Sequence, residues 1–137
     1  MARADFAFAH RFRVRYAEVD PQAVVFNSRY LEYADLVLTE YWRALGIIGT
    51  GPDAFEIHVV RAAVDYRAPI RVDEEVDGLI RIARMGTSSL TSLIELHGAD
   101  AEDLRAEIEI VHVHVDLASG RPMPIPDAIR EKFSTPG

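Results

Sequence analysis

The sequence has no cysteine, which excludes disulfides, thiolate metal sites and a cysteine nucleophile. It also has no apolar run of membrane-spanning length, and its first residues, MARADFAFAH, lack the apolar core of a secretory leader. Basic residues are outnumbered, with 15 Lys and Arg against 22 Asp and Glu and a net charge of −7. Nucleic-acid binders normally carry a basic field, so we expect a protein that does not bind nucleic acid. Because an apolar run and a leader core are both lacking, we also expect a cytoplasmic protein that does not bind a membrane.

What is present is an ordinary globular composition, with 49% hydrophobic and 27% charged residues. The sequence shows no internal repeat, low-complexity tract or linker. A chain of 137 residues has the size of one ordinary domain, so we predict a single domain over residues 1–137.

Alternation of apolar and polar residues with a period of two predicts five strands. They are expected at His10–Tyr16, Ile57–Ala68, Val76–Met85, Leu90–His97 and Leu104–Leu117. The second strand carries His58, which we expect in or near the core. In the last strand the apolar positions switch from even to odd residues after Ile110, which predicts a bulge or bend there.

One long helix is predicted between the first two strands, from Ser28 to Leu45. Its polar residues form a narrow stripe and the rest of its surface is apolar, so a sheet or a subunit contact must cover it. Asn27 or Ser28 can cap its N-terminus, and Gly46 can end it. A short second helix is expected over Asp127–Phe133.

The order of these elements predicts an α+β fold, with an antiparallel sheet of about five strands wrapped around one long central helix. A single curved sheet leaves two open edges and an uncovered outer face. Association between subunits closes such edges, so we predict a homodimer or a homotetramer.

The loop before the long helix carries a family resemblance. Residues 16–27, YAEVDPQAVVFN, followed by Tyr30, resemble the N-terminal signature of the 4-hydroxybenzoyl-CoA thioesterase-like branch of the hot-dog superfamily. Weaker similarity continues at 64–69, VDYRAP, and within 120–126. The resemblance implies a hot-dog fold that assembles as dimers and often tetramers, with the active site at the dimer interface.

The resemblance also implies roles for single residues. Asp20 matches the family's catalytic carboxylate, which acts as nucleophile or general base, and the backbone N–H of Asn27 matches the group that polarises the thioester carbonyl. Hydrolysis needs a nucleophile or an activated water together with stabilisation of the oxyanion, and a helix N-terminus offers unpaired N–H groups for the latter. On the dipeptide Asp20-Pro21 alone, a simple turn is the more ordinary interpretation.

The substrate site is expected around this loop and the long helix. The acyl group should contact the helix and its neighbours, and in relatives the CoA chain crosses a groove at the turn between the third and fourth strands. The predicted substrate-binding residues are Tyr16, Phe26, Tyr30, Tyr33, Ala34, Val37, Arg84, Ser88 and Ser89. A core aromatic at Tyr16 and a plain hairpin over Gly86–Ser89 are the alternatives.

Two positions depart from the family pattern. Ala23 stands where relatives commonly have glycine, so we expect this loop to avoid a positive φ. Asn27 stands where relatives have His or Tyr, which leaves only a backbone role at that position. Glu18, two residues before Asp20, is expected to be a solvent-facing or interface-paired side chain rather than a second catalytic carboxylate.

His112 and His114 share one face of the last predicted strand, a spacing that can chelate zinc. No third ligand is evident nearby, and alternating His and Val is ordinary on a half-exposed strand. We therefore predict neither a metal nor another cofactor.

Together these features predict hydrolysis of an acyl-CoA, or of a related acyl thioester, to the free acid and the thiol. A non-catalytic acyl-CoA-binding module is one alternative, and a thioesterase acting on carrier-protein-bound acyl chains is another. A hot-dog hydratase or dehydratase typically needs a histidine, and none lies in the Asp20 loop or along the long helix.

Overall fold

The computed structural model describes residues 3–134, which form a five-stranded antiparallel sheet with a long helix packed on it. The strands are β1 Phe8–Arg13, β2 Ile57–Tyr66, β3 Glu75–Met85, β4 Ser89–Gly98 and β5 Leu104–His114, in the order β1-β3-β4-β5-β2. The helices are α1 Arg29–Leu45, α2 Asp127–Ser134 and short 3₁₀ helices at Arg3–Asp5 and Tyr16–Glu18. The predicted α+β fold, five strands with one long helix, is confirmed. No helix among residues 3–134 combines the length and the apolarity needed to cross a membrane.

Helix α1 lies on the inner face of the sheet because one broad side of it is apolar. Its buried residues are Tyr30, Tyr33, Ala34, Val37, Leu38, Tyr41 and Trp42. They share one core with inward-facing strand residues, including Val76, Ile80, Leu90, Ile94, Ile108 and Ile110. Gly78 is buried on β3 beneath the helix, and a Cβ there would collide with Val37. Glycine at this position therefore permits the close approach of helix and sheet.

The two ends of α1 are built differently. Gly46 ends the helix with a φ of 73°, and its N–H donates to carbonyls of the last turn. Lys132, the only lysine of the chain, donates from Nζ to the carbonyls of Leu45 at 3.1 Å and Gly46 at 3.4 Å. The predicted C-terminal end is confirmed. At the other end neither Asn27 nor Ser28 makes a side-chain capping bond within the described part of the chain, so the predicted side-chain cap is wrong.

Strand β1 ends at Arg13, three residues earlier than predicted. Val14 is buried as expected, but Tyr16 begins a 3₁₀ turn and is 87% exposed. The chain turns here because the Glu18 carboxylate accepts the backbone N–H of Arg15 at 2.8 Å. Tyr16 is therefore not a core aromatic, and it lies on the surface of the loop.

The predicted change of phase in the last strand is wrong. On β5 the even-numbered side chains stay buried through Ile110 and on to His112 and His114. The register with β4 is unbroken at this point, and the irregularity lies on the neighbouring strand β2, between Val59 and Arg61. The sequence indicated a change of phase because Val111 and Val113, half-buried on the outer face, are more hydrophobic than His112 and His114, which are buried on the inner face.

Strand β2 forms one edge of the sheet and pairs only with β5. Val59, Val60 and Tyr66 are exposed on it, Val60 by 60%. His58 is exposed as well, so its expected place in or near the core is wrong; an edge strand has less cover than a central one. A ten-residue edge with exposed apolar side chains is of the kind that natural proteins pair or cover.

Candidate active site

Asp20 lies at the tip of a short hairpin that connects β1 to α1. Val19 and Val25 form an isolated bridge, and the Asp20 N–H donates to the Val24 carbonyl at 2.9 Å. The carboxylate oxygen Oδ1 accepts the Gln22 N–H at 2.8 Å, which closes the turn. Among residues 3–134 the other oxygen has no hydrogen-bond donor. Asp20 thus stabilises its turn with one oxygen and keeps the second available for chemistry.

Ala23 adopts the backbone conformation that we expected this loop to avoid. Its φ is 62°, in the left-handed region, so that expectation is wrong. The Ala23 N–H donates to the Asp20 carbonyl at 2.9 Å, and its own carbonyl accepts the Val72 N–H at 3.1 Å. The left-handed region costs a residue with a Cβ about 1–2 kcal/mol, and these two bonds hold Ala23 in it. The hairpin tip therefore stores backbone strain, as functional loops often do.

Asn27 lies just before α1 and is exposed. Its carbonyl accepts the Tyr66 hydroxyl at 2.9 Å, which ties the start of the helix to the end of β2. Its N–H has no acceptor among residues 3–134. An unpaired N–H at a helix N-terminus, where the helix dipole is positive, is suited to an oxyanion.

Glu18 is buried within the protomer, so the expectation of a solvent-facing side chain is wrong. Its Oε1 accepts the Tyr33 hydroxyl at 2.9 Å, and its Oε2 accepts Nε and Nη2 of Arg15 at 3.1 and 2.9 Å. Burial acts to raise the pKa of Glu18, but the hydrogen bonds from Arg15 and Tyr33 outweigh it and hold the pKa below its ordinary value of 4.5. Burial, and then the bond to Glu18, raise the pKa of Tyr33, so its hydroxyl stays a donor.

The predicted acyl-pocket residues of α1 belong to the hydrophobic core. Tyr30, Tyr33, Ala34 and Val37 are buried in the core, because they lie on the side of α1 that faces the sheet. Phe26, like Tyr16, is exposed on the loop.

An open groove of about 580 Å³ lies along the C-terminal half of α1, between the helix, residues 47–57 and β5. Its walls include Leu38, Thr39, Trp42, Phe55, Ile57 and His112. The volume is that of a small-molecule site. No sequence pattern indicated this groove, although the polar stripe of α1, which includes Asp35, Thr39 and Arg43, borders it.

His112 forms part of the groove wall, and its ring is buried. Burial lowers the pKa of His112, so the ring is neutral, and its Nδ1 has no partner among residues 3–134. His114 places Nδ1 2.8 Å from the Glu56 carbonyl. Within the described residues no group of three or more His, Cys, Asp or Glu could hold a metal ion.

The turn between β3 and β4 is tight, with the Gly86 N–H donating to the Ser89 carbonyl at 2.8 Å. Arg84 is exposed beside it, and Ser88 and Ser89 are half-buried. Arg130 of α2, which our sequence reasoning also missed, donates from Nη2 to the carbonyls of Gly86 and Thr87 at 2.6 and 2.9 Å. The structure thus brings two arginines to this turn.

Comparison with known proteins identifies the class. The thioesterase-like superfamily matches residues 14–133, and the chain therefore belongs to this superfamily. Its five-stranded sheet and central helix are the hot-dog fold, and the family supports thioester hydrolysis as the class of reaction. No curated protein matches the chain by sequence.

Several solved structures resemble the chain over nearly its whole length. A thioesterase from Thermus thermophilus, solved with coenzyme A and zinc, is 32% identical with a TM-score of 0.79, covering 95% of this chain and 99% of that chain. A predicted thioesterase from Bacillus stearothermophilus is 26% identical with a TM-score of 0.83, covering 93% of each chain. A 1,4-dihydroxy-2-naphthoyl-CoA thioesterase from Synechocystis, 16% identical with a TM-score of 0.83 and coverage of 93% and 95%, shares the fold.

Proposed function

We propose that the protein hydrolyses an acyl-CoA, with the Asp20 carboxylate as the catalytic group and the Asn27 N–H as the oxyanion donor. The observation that carries the proposal is the Asn27 N–H just before α1, which has no acceptor among residues 3–134. It follows directly on the short hairpin of Asp20, whose carboxylate has one oxygen without a donor in the same range of residues. Asp20 either attacks the thioester carbon or takes a proton from the attacking water. If Asp20 attacks, a C–O bond forms to the acyl carbon, the C–S bond breaks and the thiolate leaves, and water then hydrolyses the resulting anhydride, which releases the acid and restores the Asp20 carboxylate. If Asp20 acts as a base, the water oxygen forms the C–O bond, the C–S bond breaks, and the proton held by Asp20 passes to the departing thiolate.

The proposed assembly is a homodimer formed through β2. Two such dimers can associate into a homotetramer. Antiparallel pairing of two β2 edges about a twofold axis sets the start of one strand beside the end of the other. The groove borders Ile57 at the start of β2, whereas Asn27 is bound by Tyr66 at its end. In such a dimer the groove of one protomer adjoins the Asp20 hairpin of its partner. Sedimentation at micromolar concentration checks this, and a monomer near 15 kDa contradicts it.

The proposed substrate lies across this interface. The groove, with the aromatic walls Trp42 and Phe55, takes the acyl group, and the exposed Arg84 beside the β3–β4 turn is available to CoA phosphate. The relative from Thermus thermophilus that was solved with coenzyme A supports CoA as the thiol.

Replacement of the carboxylate tests the mechanism. Asp20→Asn keeps the shape and one acceptor for the Gln22 N–H but removes the negative charge that both routes need. We expect a variant that folds and binds substrate, with a kcat lowered by at least about a hundredfold. Free thiol release from a panel of aromatic and straight-chain acyl-CoAs is the measurement.

Asp73→Asn is the matched control, because Asp73 is an exposed aspartate in a nearby loop and should change little. An Asp20→Asn variant as fast as the wild type would reduce Asp20 to a turn residue. Wild-type protein that binds acyl-CoA without releasing thiol would favour the non-catalytic binding module. Release from an acyl carrier protein alone would make the carrier-bound chain the substrate.

A further inference from the structure

A buried hydrogen-bond cluster fastens the Asp20 hairpin to α1. Glu18 lies in the first arm of the hairpin, two residues before Asp20, and its carboxylate accepts the Tyr33 hydroxyl from the second turn of the helix at 2.9 Å. Its backbone carbonyl accepts the Phe26 N–H at 3.0 Å, in the second arm, directly before Asn27. Glu18 therefore connects both arms of the hairpin to the helix that directly follows the proposed oxyanion donor.

The Glu18 carboxylate has no capacity left for proton transfer to a substrate. Each of its oxygens accepts two hydrogen bonds, one from Tyr33 and three from Arg15. Glu18 is 8% exposed, whereas Asp20 is half-buried and its second carboxylate oxygen has no donor among residues 3–134. Catalysis by Glu18 itself would require breaking these bonds in a buried place, which is costly.

We propose that Glu18 and Tyr33 are positioning residues, which set the distance between the Asp20 carboxylate and the Asn27 N–H in the reacting complex. The inference rests on the proposed function and makes Tyr33 a support of the hairpin rather than a wall of the acyl pocket. The hairpin itself is held by isolated backbone bonds and contains the strained Ala23, so it needs such an anchor. Displacement of a catalytic group by about 1 Å can cost a hundredfold in rate.

The test is Tyr33→Phe, which removes one hydroxyl and keeps the ring packed against Phe12, 4.6 Å away between centroids. We expect kcat per folded protein to fall by about tenfold to a hundredfold, with KM changed by less than about threefold. The matched control is Tyr41→Phe on the same helix, because the buried Tyr41 hydroxyl has no partner among residues 3–134. That variant should keep the wild-type kcat.

A double-mutant cycle separates positioning from a general structural role. If Tyr33 acts through Asp20, adding Tyr33→Phe to Asp20→Asn should slow the residual rate by less than about twofold. An equal loss in both backgrounds would overturn the inference, and so would a wild-type kcat in Tyr33→Phe or a raised KM with unchanged kcat. A raised KM with unchanged kcat would instead indicate that Tyr33 contacts the acyl group of the substrate.

Glu18→Gln is a second variant for the same cycle, and it should show the same dependence on Asp20. Failure of the proposed function is recognised separately, because it shows in Asp20→Asn alone. If Asp20→Asn keeps its rate, both ideas fall. If Asp20→Asn is slow but Tyr33→Phe and Glu18→Gln are not, only the positioning role falls.

Discussion

Helix α1 stops at its C-terminal end on Gly46, a residue suited to a φ of 73°, and the side chain of Lys132 donates to the carbonyls of Leu45 and Gly46. At its N-terminal end, among the described residues 3–134, the helix has no side-chain cap and the Asn27 N–H has no acceptor. In the loop before it, Ala23 adopts a φ of 62° without being glycine. The same helix thus has one end in which orphan groups are satisfied and another in which they are left available.

The C-terminal end of α1 is built for stability of the folded chain, and its N-terminal end leaves groups available to a ligand. Satisfied carbonyls and a relaxed glycine lower the free energy of the folded chain. An unpaired N–H and a strained hairpin raise it, and they are retained where a ligand can use them. The N-terminal end also depends on an ionised carboxylate, Glu18, whereas the C-terminal end depends on backbone conformation and a lysine. The two ends should therefore respond differently to pH and to substitution.

The largest expected effect on stability is that of Glu18→Gln. The variant loses charge-assisted bonds in a buried place, so we expect the free energy of unfolding to fall by about 2–3 kcal/mol at pH 7. The pKa of Glu18 is lowered on folding, so its contribution is present above 4.5 and is lost as the pH falls below that value. The difference between wild type and variant should shrink accordingly in urea unfolding from pH 7 down to pH 3.5. Glu32→Gln, on the exposed face of α1, is the control, and a constant difference would contradict the prediction.

A smaller effect on the free energy of unfolding is expected from Gly46→Ala, at the C-terminal end of α1. An added Cβ makes the left-handed conformation unfavourable by about 1–2 kcal/mol, partly offset by the lower entropy of the unfolded alanine chain. We expect a net loss of about 1 kcal/mol that does not vary with pH, with unchanged kcat per folded protein. Urea unfolding and thiol release measure the two quantities. A fall in kcat comparable to that of Tyr33→Phe would break the distinction between the two ends.

The smallest effect on stability is expected from Ala23→Gly. It is the reverse of Gly46→Ala, at a similar φ of 62°. Relief of strain should exceed the added entropy of the unfolded chain, so the variant should be more stable by less than about 1 kcal/mol. Its kcat should stay within about threefold of wild type if the Glu18 cluster, rather than Ala23, holds the hairpin. A destabilised variant would show that the alanine methyl group makes a contact that outweighs its strain.

Local patterns predicted most of the fold. The period of two located β3 and β4 to within one residue at each end, and the apolar run from Ser28 to Leu45 located α1 to within one residue. These predictions succeeded because periodicity is a property of neighbouring residues. The end of β1 and the phase of β5 were predicted wrongly, since both depend on what the chain meets in space. Glu18 turns the chain after Arg13. On β5, His112 lies beside Leu38 and Trp42 in the wall of the groove, and the His114 ring packs against Phe55 at 4.8 Å between centroids.

The site shows the same division. The sequence by itself determined that Asp20 stands in a loop shortly before a long helix and that Asn27 comes directly before the first turn of that helix, because these are facts of chain order and residue type. Only the tertiary structure decided that Glu18 is buried, that the Tyr33 hydroxyl donates to its carboxylate, and that the open groove lies beside Trp42 and His112. Burial and hydrogen bonding join residues that are distant along the chain, and a period of two or of 3.6 carries no information about which distant residue will be the partner.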